Sequence, residues 1–384
     1  MSGFYNAAVQ EEAAYGIGAL QEKVEALRNK GVEIINCTIG DPKDPPHPSV
    51  SDTLMQSLSS QECSQYPPYI GTKSLREALA QWATQHAGNS LCPNTQVLAC
   101  NGTKEAVFSF PLLMDWSHGH HILIPSLSYP VYQMSAAYHG IPYTYLPLTE
   151  SNGFLPNLQA IPAETLKKTR LFWINSPHNP TTAVASKQYL QDLVILAETY
   201  DFIVCSDECY NDLYTHTPPA SIMEIDSSHW VCFRSISKCS HMTGYRSGGI
   251  FSQNTELMAL LKKMRSPMGV GTPSFIQDAA TWAWSNETHV EAHREHYNHK
   301  RNRLRAAVTQ AGIQVFGGDT GFYMWCKSPK YHTSQALAEW FLSKGIMVTP
   351  GTVFGPDGDP YIRMVYCVTD DVLEAICKAL GKPD

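Results

Sequence analysis

Short apolar runs of strand length alternate with helical patterns over residues 95–265 of the chain. The strand-like runs are QVLAC, HILIP, PYTYLPL, LFWIN, DFIVCS, VCFRSIS and GGIFS, and helical patterns such as SKQYLQDLVILAETY lie between them. Their alternation predicts a largely parallel sheet wrapped by helices. In such sheets ligands bind beyond the carboxyl ends of the strands. We therefore expect the functional residues in the loops that follow the strands.

The segments on either side of this region predict a second, smaller unit. Residues 272–311 have a strongly helical pattern that Gly312 ends, and FYMWC and IRMVYCV predict strands ahead of a terminal helix from Asp371. An amphipathic helix near residues 18–30 and the run EIINCTI are expected to pack against this C-terminal part. The predicted organisation is an N-terminal arm with part of the small domain over 1–44, a large domain over 45–285 and a small domain over 286–384.

Composition limits the class of protein and its partners. The chain has 384 residues, of which 43% are hydrophobic and 16% charged, a globular composition with enough length for two cores. Lys and Arg number 28 and Asp and Glu 35, giving a net charge of −7 without a long block of one sign, so nucleic acid is not an expected partner. A signal-peptide pattern and a long apolar run are both missing, so we expect a cytoplasmic protein without a membrane partner.

Cysteine and histidine spacing does not predict a metal site. The 11 cysteines are scattered without a CxxC pair, which argues against a zinc or disulfide framework. His289, His293 and His296 share one face of a predicted helix, but HVEAH lacks the HExxH order of the zinc hydrolases. We predict a solvated helix face there and no bound metal.

Five motifs with reactive or ligand-binding side chains follow the strand-like runs. They are Asn101-Gly102-Thr103, Asn175-Ser176-Pro177-His178-Asn179-Pro180-Thr181, Asp207-Glu208-Cys209-Tyr210, Ser235-Ile236-Ser237-Lys238 and Gly244-Tyr245-Arg246-Ser247-Gly248. Their positions bring a lysine, a carboxylate, a phenol, an amide, an arginine and small hydroxyls to one crevice. Pyridoxal 5'-phosphate (PLP) needs this set: a lysine, an anionic partner for the pyridinium nitrogen, donors to the ring oxygen and a phosphate cradle. The motifs therefore predict PLP as the cofactor.

With these motifs the chain resembles the fold-type-I, class I/II aminotransferases, and the resemblance extends from Gly40 to Arg363. It implies an α/β fold in which a large domain holds a mainly parallel seven-stranded sheet between helices, beside a smaller α+β domain. Within the family, GDPK and SKxSxMTGYRSG are most similar to members that transaminate N-succinyl-diaminopimelate or diaminopimelate in lysine biosynthesis.

The resemblance implies catalytic roles for Lys238, Asp207 and Tyr210. Lys238 would bind PLP covalently and later move a proton at the substrate as a neutral amine. Asp207 would pair with the pyridinium nitrogen, and Glu208 beside it is the less favoured carboxylate. Tyr210 and Asn179 would hydrogen-bond to the phenolic oxygen of the cofactor.

The rest of the expected cofactor site consists of an aromatic plate and a phosphate cradle. Tyr129 is expected to stack on the cofactor ring, and Tyr132 is a competing candidate that is more typical of plain core. The phosphate needs backbone N–H groups at a helix start, hydroxyls and a fixed cation. The residues expected to supply them are Gly102, Thr103, Lys104, Ser235, Ser237 and Arg246.

Substrate binding is expected at Arg363, whose planar charged fork suits an α-carboxylate. The resemblance brings the backbone of Gly40, and Asn179, to the same end of the substrate. Tyr66 matches the spacing of a family tyrosine that reaches the phosphate of the neighbouring subunit. The resemblance therefore implies a homodimer with a shared active site.

The predicted reaction moves an amino group from a donor amino acid, expected to be glutamate, to a keto or aldehyde acceptor. Alternatives on the same scaffold are a general aspartate or aromatic aminotransferase and a PLP-dependent C–S β-lyase. A cofactor-sensing regulator is also an alternative, but the segment before Gly40 is expected to be too short for a DNA-binding module. The chain departs from the family pattern at Thr182, where glycine is usual, and at Cys239, where a basic residue is expected.

Overall fold

The computed structural model describes residues 4–11, 18–29 and 31–381. The strands in chain order are β1 Ile35–Asn36, β2 Val97–Cys100, β3 His121–Pro125, β4 Tyr143–Leu146, β5 Thr169–Asn175, β6 Ile203–Asp207, β7 Trp230–Ser235, β8 Gly248–Phe251, β9 Gln314–Phe316, β10 Tyr323–Lys327, β11 Ile346–Met347, β12 Thr349–Pro350 and β13 Ile362–Val365. The helices are α1 Ala7–Glu11, α2 Gly18–Arg28, α3 Pro48–Leu58, α4 Lys73–Ala87, α5 Thr103–Ser109, α6 Val131–Tyr138, α7 Ala163–Leu166, α8 Lys187–Tyr200, α9 Ile236–Cys239, α10 Thr255–Arg265, α11 Ser274–Ser285, α12 Thr288–Gln310, α13 Ser334–Ser343 and α14 Asp370–Leu380.

The main sheet contains, among the described residues, seven strands in the order β2-β8-β7-β6-β5-β3-β4. The five strands from β7 to β4 run parallel, whereas β8 is antiparallel to both β7 and β2. Every residue of β2, β7 and β8 is buried, which explains why these runs are apolar throughout instead of alternating. The predicted α/β fold with a mainly parallel sheet is confirmed.

Helices cover both faces of this sheet, so successive residues of one strand enter different cores. Along β5, Leu171 and Trp173 join a core with α5, α6 and α10, whereas Phe172 and Ile174 join a core with α4, α8 and α11. This follows from the two-residue period of a strand. The helices on the two faces do not cover the carboxyl ends of the parallel strands. The loops with the predicted motifs lie at this edge of the sheet.

A smaller antiparallel sheet, β12-β13-β10-β9, lies beyond the main one in sequence, and β1 pairs in parallel with β11. The helical stretch predicted over 272–311 is confirmed in type, but it forms two helices, because Asn286 leaves helical geometry at φ −134° between α11 and α12. The run EIINCTI forms only the two-residue β1. The domain limits at 44/45 and 285/286 stay predictions. Within the described residues, helices that could cross a membrane are absent.

Candidate active site

The loops that follow β5, β6 and β7 open on a cavity of about 970 Å³. Motifs that are far apart in sequence meet here because parallel strands end at the same edge of the sheet. Of the predicted site residues, twelve line this cavity: Gly40, Thr103, Lys104, Tyr129, Asn179, Asp207, Tyr210, Ser235, Ser237, Lys238, Arg246 and Arg363. Gly102 lies against Arg246 at its edge, and Tyr66 is outside it.

Asp207 ends β6 and is buried at the base of the cavity. Tyr132 donates its phenolic hydrogen to Asp207 Oδ2 at 2.7 Å, and the backbone N–H of Cys209 donates to Oδ1 at 3.3 Å. Burial raises the pKa of Asp207, while the hydrogen bonds from Tyr132 and Cys209 and the charge of Lys238 act to lower it. A buried carboxylate held in this way is suited to a cationic partner.

Tyr132 has a role that the sequence did not reveal. Its ring is fully buried and stacks on Trp173 with centroids 4.6 Å apart, as expected for a core residue. Its hydroxyl nevertheless supports Asp207, so the interpretation as plain core is incomplete. The run PSLSYPVY contains the signal, since it places a second tyrosine three residues after Tyr129, one helical turn on.

Lys238 lies on the one-turn helix α9, directly after β7. Its Nζ donates to the carbonyl oxygen of Gly40 at 2.5 Å. Burial lowers the pKa of Lys238, which favours the neutral amine needed for nucleophilic or proton-transfer chemistry.

Gly102 and Arg246 form a close contact that depends on the missing side chain of glycine. A Cβ on Gly102 would lie 2.1 Å from Nη2 of Arg246, and the backbone of Gly102 has φ +71°. Nη1 of Arg246 donates to the carbonyl of Thr243 at 2.8 Å, which orients the guanidinium. The contact holds a fixed positive charge beside the start of α5.

Two serines complete this positive corner of the cavity. Ser235 Oγ lies 2.8 Å from Ser237 Oγ and accepts from the backbone N–H of Ser237 at 3.1 Å. Hydroxyls and a guanidinium around a glycine are donors of the kind that a phosphate requires. The donor set therefore fits the phosphate of PLP, with Asp207 and Lys238 available for the ring.

Arg363 on β13 is buried in the cavity wall and connects its own strand to two other segments. Its Nη1 donates to Asn179 Oδ1 at 2.7 Å and its Nη2 to the carbonyl of Thr38 at 2.6 Å. Its Nε is buried without a hydrogen-bond partner among the described residues. Burial lowers the pKa of Arg363, although a guanidinium stays charged in proteins. The orphan donor indicates a place for an anionic ligand.

Tyr210 and Tyr129 supply the aromatic part of the cavity wall. The ring of Tyr210 packs edge to face on that of Tyr323, with the ring centres 5.2 Å apart. Burial raises the pKa of Tyr210. The hydroxyl of Tyr210 forms no hydrogen bond with a described residue. Tyr129 packs edge to face on Tyr132 at 5.9 Å.

Comparison with known proteins identifies the family. The sequence model of the family aminotransferase class I and II matches residues 32–380 of the chain. The chain belongs to this family. The protein is a PLP-dependent transaminase, and its fold is type I.

The aminotransferase is similar to curated proteins over nearly its whole length. It is 35% identical over 362 residues to the LL-diaminopimelate aminotransferase of Aquifex aeolicus, covering 92% of each chain. It is 32% identical over 369 residues to LL-diaminopimelate aminotransferase 2 of Nostoc sp., covering 94% of each. A solved single mutant of Thermus thermophilus aspartate aminotransferase matches with a TM-score of 0.89 at 25% identity, over 99% of both chains.

Thr182 keeps the left-handed backbone that a glycine would adopt, with φ 63°. The backbone N–H of Gly318 donates to Thr182 Oγ1 at 2.6 Å, and the hydroxyl of Thr320 donates to the Thr182 carbonyl at 3.1 Å. A β-branched residue is strained in this region, so the contacts hold it there. The departure from glycine thus ties the loop with Asn179 to the turn between β9 and β10.

Cys239, where a basic residue was expected, is buried near the guanidinium of Arg234. Arg234 on β7 pairs with Asp212 at 2.9 Å and with Glu208 at 3.4 Å, and its guanidinium lies 4.4 Å from the ring centre of Trp82. Burial raises the pKa of the Cys239 thiol, the charge of Asp212 raises it further, and Arg234 lowers it. Glu208 is therefore an internal ion-pair partner and does not line the cavity.

The expectation of a solvated histidine face on α12 is wrong for His289 and His293. His289 is buried with Nε2 2.8 Å from Ser240 Oγ, and Nδ1 of His293 lies 2.8 Å from the carbonyl of Cys239. His293 also stacks on His241 at 3.7 Å. The polar face of α12 packs on the polar segment after Lys238, which hydropathy alone does not distinguish from solvent.

Burial lowers the pKa of His241, His289 and His293 and so favours their neutral forms. Burial, followed by the charge of His293, lowers the pKa of both His241 and His289 to about 4. Within the described part of the chain, groups of three or more metal-binding side chains arranged around one point do not occur.

Proposed function

We propose that this aminotransferase acts on diaminopimelate, an amino acid that carries a second amino-acid group at its far end, with a keto acid as the second substrate. The observation that carries the proposal is the meeting of Lys238, Asp207 and Arg363 in one cavity, with a buried unpartnered donor on Arg363. The relatives in Aquifex and Nostoc are named for LL-diaminopimelate, which favours the free compound over its N-succinyl form. Glutamate as the amino donor stays a prediction.

PLP would be held by groups whose remaining hydrogen-bonding capacity matches it. Asn179 accepts from Arg363 through Oδ1, which leaves its amide nitrogen as the donor for the ring oxygen together with the hydroxyl of Tyr210. Asp207 would face the ring nitrogen, and Tyr129 the ring. Arg246, with Ser235, Ser237 and the residues 102–104, would hold the phosphate. When bound, the cofactor supplies an electron sink for the bonds at the substrate Cα.

The residues of the chain position the substrate and move its proton. Arg363 receives the α-carboxylate through its free Nε and the outer edge of its fork, while Asn179 and Thr38 prevent the guanidinium from turning. As a neutral amine, Lys238 would take the proton from the substrate Cα and would then deliver it to the cofactor side of the C–N bond. Its hydrogen bond to Gly40 holds the amine at the same end of the substrate as Arg363.

The test of the reaction is the visible absorption of the holoenzyme while single amino acids are added. Loss of the yellow band with LL-diaminopimelate, and its recovery with a keto acid, are expected. Lys238→Ala should lower turnover by about 10²–10⁴-fold, the contribution of positioned proton transfer, while the exposed Lys330→Ala control retains it. Turnover of Lys238→Ala near the wild-type level would refute the mechanism.

The β-lyase alternative predicts other products. A lyase releases pyruvate and ammonia from a cysteine conjugate and needs no keto acid. Amino transfer that depends on a keto acid, without pyruvate release from such a conjugate, is expected and excludes this alternative. An aspartate aminotransferase would instead be indicated if aspartate discharged the yellow band and diaminopimelate did not.

We also propose a homodimer in which Tyr66 completes the site of the partner subunit. Tyr66 is fully exposed and lies outside the cavity of its own chain, which supports a role elsewhere. Mixing inactive Tyr66→Phe and Lys238→Ala chains should restore one active site in each mixed dimer, since an intact tyrosine then meets an intact lysine. Mixed dimers without any recovered activity would contradict sharing.

A further inference from the structure

Helix α2 forms part of the cavity wall through Val24, Glu25 and Arg28. The helix is held by packing on the small unit: Val24, which also lines the cavity, packs with Leu342 and Met347, and Lys23 pairs with Glu339 at 2.5 Å. This anchoring fixes which face of α2 is presented to the cavity.

Glu25 and Arg28 bring opposite charges to that face. Both side chains are exposed, and their i, i+3 spacing places them next to each other along the helix. Neither forms an ion pair or side-chain hydrogen bond with another described residue. Their charges are therefore available to a ligand in the cavity.

The negative charge of Glu25 is unusual in this cavity. Its lining carries the basic side chains of Arg28, Lys104, Lys238, Arg246 and Arg363, and the carboxylates among the described lining residues are Glu25 and Asp207. Asp207 is buried and engaged by Tyr132. An exposed carboxylate such as that of Glu25 would repel a ligand that carries only carboxylates at this end, whereas it attracts a ligand with a second ammonium group.

Asn36 adds a neutral donor to this part of the wall. Its Oδ1 accepts from the backbone N–H of Thr38 at 2.9 Å and from the Thr38 hydroxyl at 2.6 Å. The amide nitrogen of this exposed side chain is left for a ligand. Thr38 also accepts a hydrogen bond from Arg363 through its carbonyl oxygen, so this one segment connects Asn36 with the arginine.

We infer that Glu25 and Arg28 recognise the far end of the substrate, with Glu25 on the second ammonium group and Arg28 on the second carboxylate, an inference that rests on the proposed function. A substrate whose far nitrogen is acylated carries no positive charge there. Glu25 therefore selects free diaminopimelate over the N-succinyl compound, and Arg28 binds both, because both keep the far carboxylate.

The experiment measures kcat/KM of the holoenzyme for LL-diaminopimelate and for N-succinyl-LL-diaminopimelate in the wild type, Glu25→Gln and Arg28→Gln. Glu25→Gln should raise KM for the free compound about tenfold, the size of one charge-assisted hydrogen bond, and reduce its preference over the acylated one. Arg28→Gln should raise KM for both compounds by a similar factor. Glu22→Gln, on the same helix but outside the cavity lining, is the matched control.

The outcomes separate this inference from the proposed function. If Glu25→Gln keeps the wild-type ratio of the two kcat/KM values, as Glu22→Gln should, or if the wild type prefers the acylated compound, the inference is overturned while diaminopimelate transamination stands. If the wild type turns over neither compound, the proposed function itself fails. The PLP absorption of each variant verifies that the site is intact.

Discussion

The hydroxyl of Tyr132 is predicted to set the charge of Asp207, and Tyr132→Phe removes it alone. The ring keeps its stack on Trp173 at 4.6 Å, so the core loses no volume beyond one oxygen atom. The lost contact is the 2.7 Å hydrogen bond to Asp207 Oδ2. Because burial already raises the pKa of Asp207 and this hydrogen bond lowers it, the variant shifts the carboxyl further towards its neutral form.

The size of the effect follows from the type of hydrogen bond. A hydrogen bond to a charged group contributes about 1.5–3 kcal/mol, and about 1.4 kcal/mol corresponds to a factor of ten. A neutral carboxyl does not pair with a pyridinium as an anion does. We therefore expect PLP to bind about 10- to 100-fold more weakly, with the greatest loss at low pH and a smaller loss as rising pH ionises Asp207.

The assay is a fluorescence titration of PLP into enzyme stripped of cofactor, repeated across pH. Tyr189→Phe is the matched control, since it deletes a hydroxyl that donates to the Pro156 carbonyl at 2.7 Å away from the cavity. A folded Tyr132→Phe enzyme that binds PLP as tightly as the control would refute the reasoning, because Asp207 would then not depend on Tyr132.

Three further perturbations test other features. Gly102→Ala places a methyl group 2.1 Å from Nη2 of Arg246 and should weaken PLP binding at least about tenfold by titration; unchanged affinity would mean that the phosphate binds elsewhere. Thr182→Val removes the acceptor of the Gly318 N–H and should cost about 1–3 kcal/mol in urea unfolding. Thr182→Gly should cost less, because glycine adopts φ 63° without strain, and equal costs would contradict this. Because burial lowers the pKa of His289 from 6.5 to about 4, the unfolded chain binds its proton first as pH falls. As the pH decreases from 6.5 to about 4, the free energy of unfolding should therefore decrease by up to about 1.4 kcal/mol per pH unit. His289→Gln should remove this pH dependence, and equal slopes of unfolding free energy against pH in the wild type and the variant would disprove it.

The strands of the main sheet could be predicted because burial on both faces makes each an uninterrupted apolar run. The smaller elements carry no such local signal. β1 and β11 are two residues each, and their pairing joins Ile35 to Ile346 across most of the chain. Such short strands are defined by their partners, so only the folded chain reveals them.

The candidate site shows the same division. Residues that follow strands, such as Lys238 and Asp207, could be predicted because topology brings strand ends together. Thr38 contributes a backbone carbonyl, which has no residue signature at all. Glu25 lies on a helix that reaches the cavity only through its packing on the small unit. Contacts of this kind depend on long-range packing.

The place of Arg234 limits which side chains its neighbours can carry. Positions 234 and 239 are neighbours around one buried set of charges, although they belong to a strand and to the following helix. An arginine restored at 239 would face a second guanidinium, and the loss of Arg234 alone would leave Glu208 and Asp212 without their cation. Substitutions at these two positions are therefore expected to be accepted in pairs, because the two carboxylates need one buried cation between them and have no room for a second.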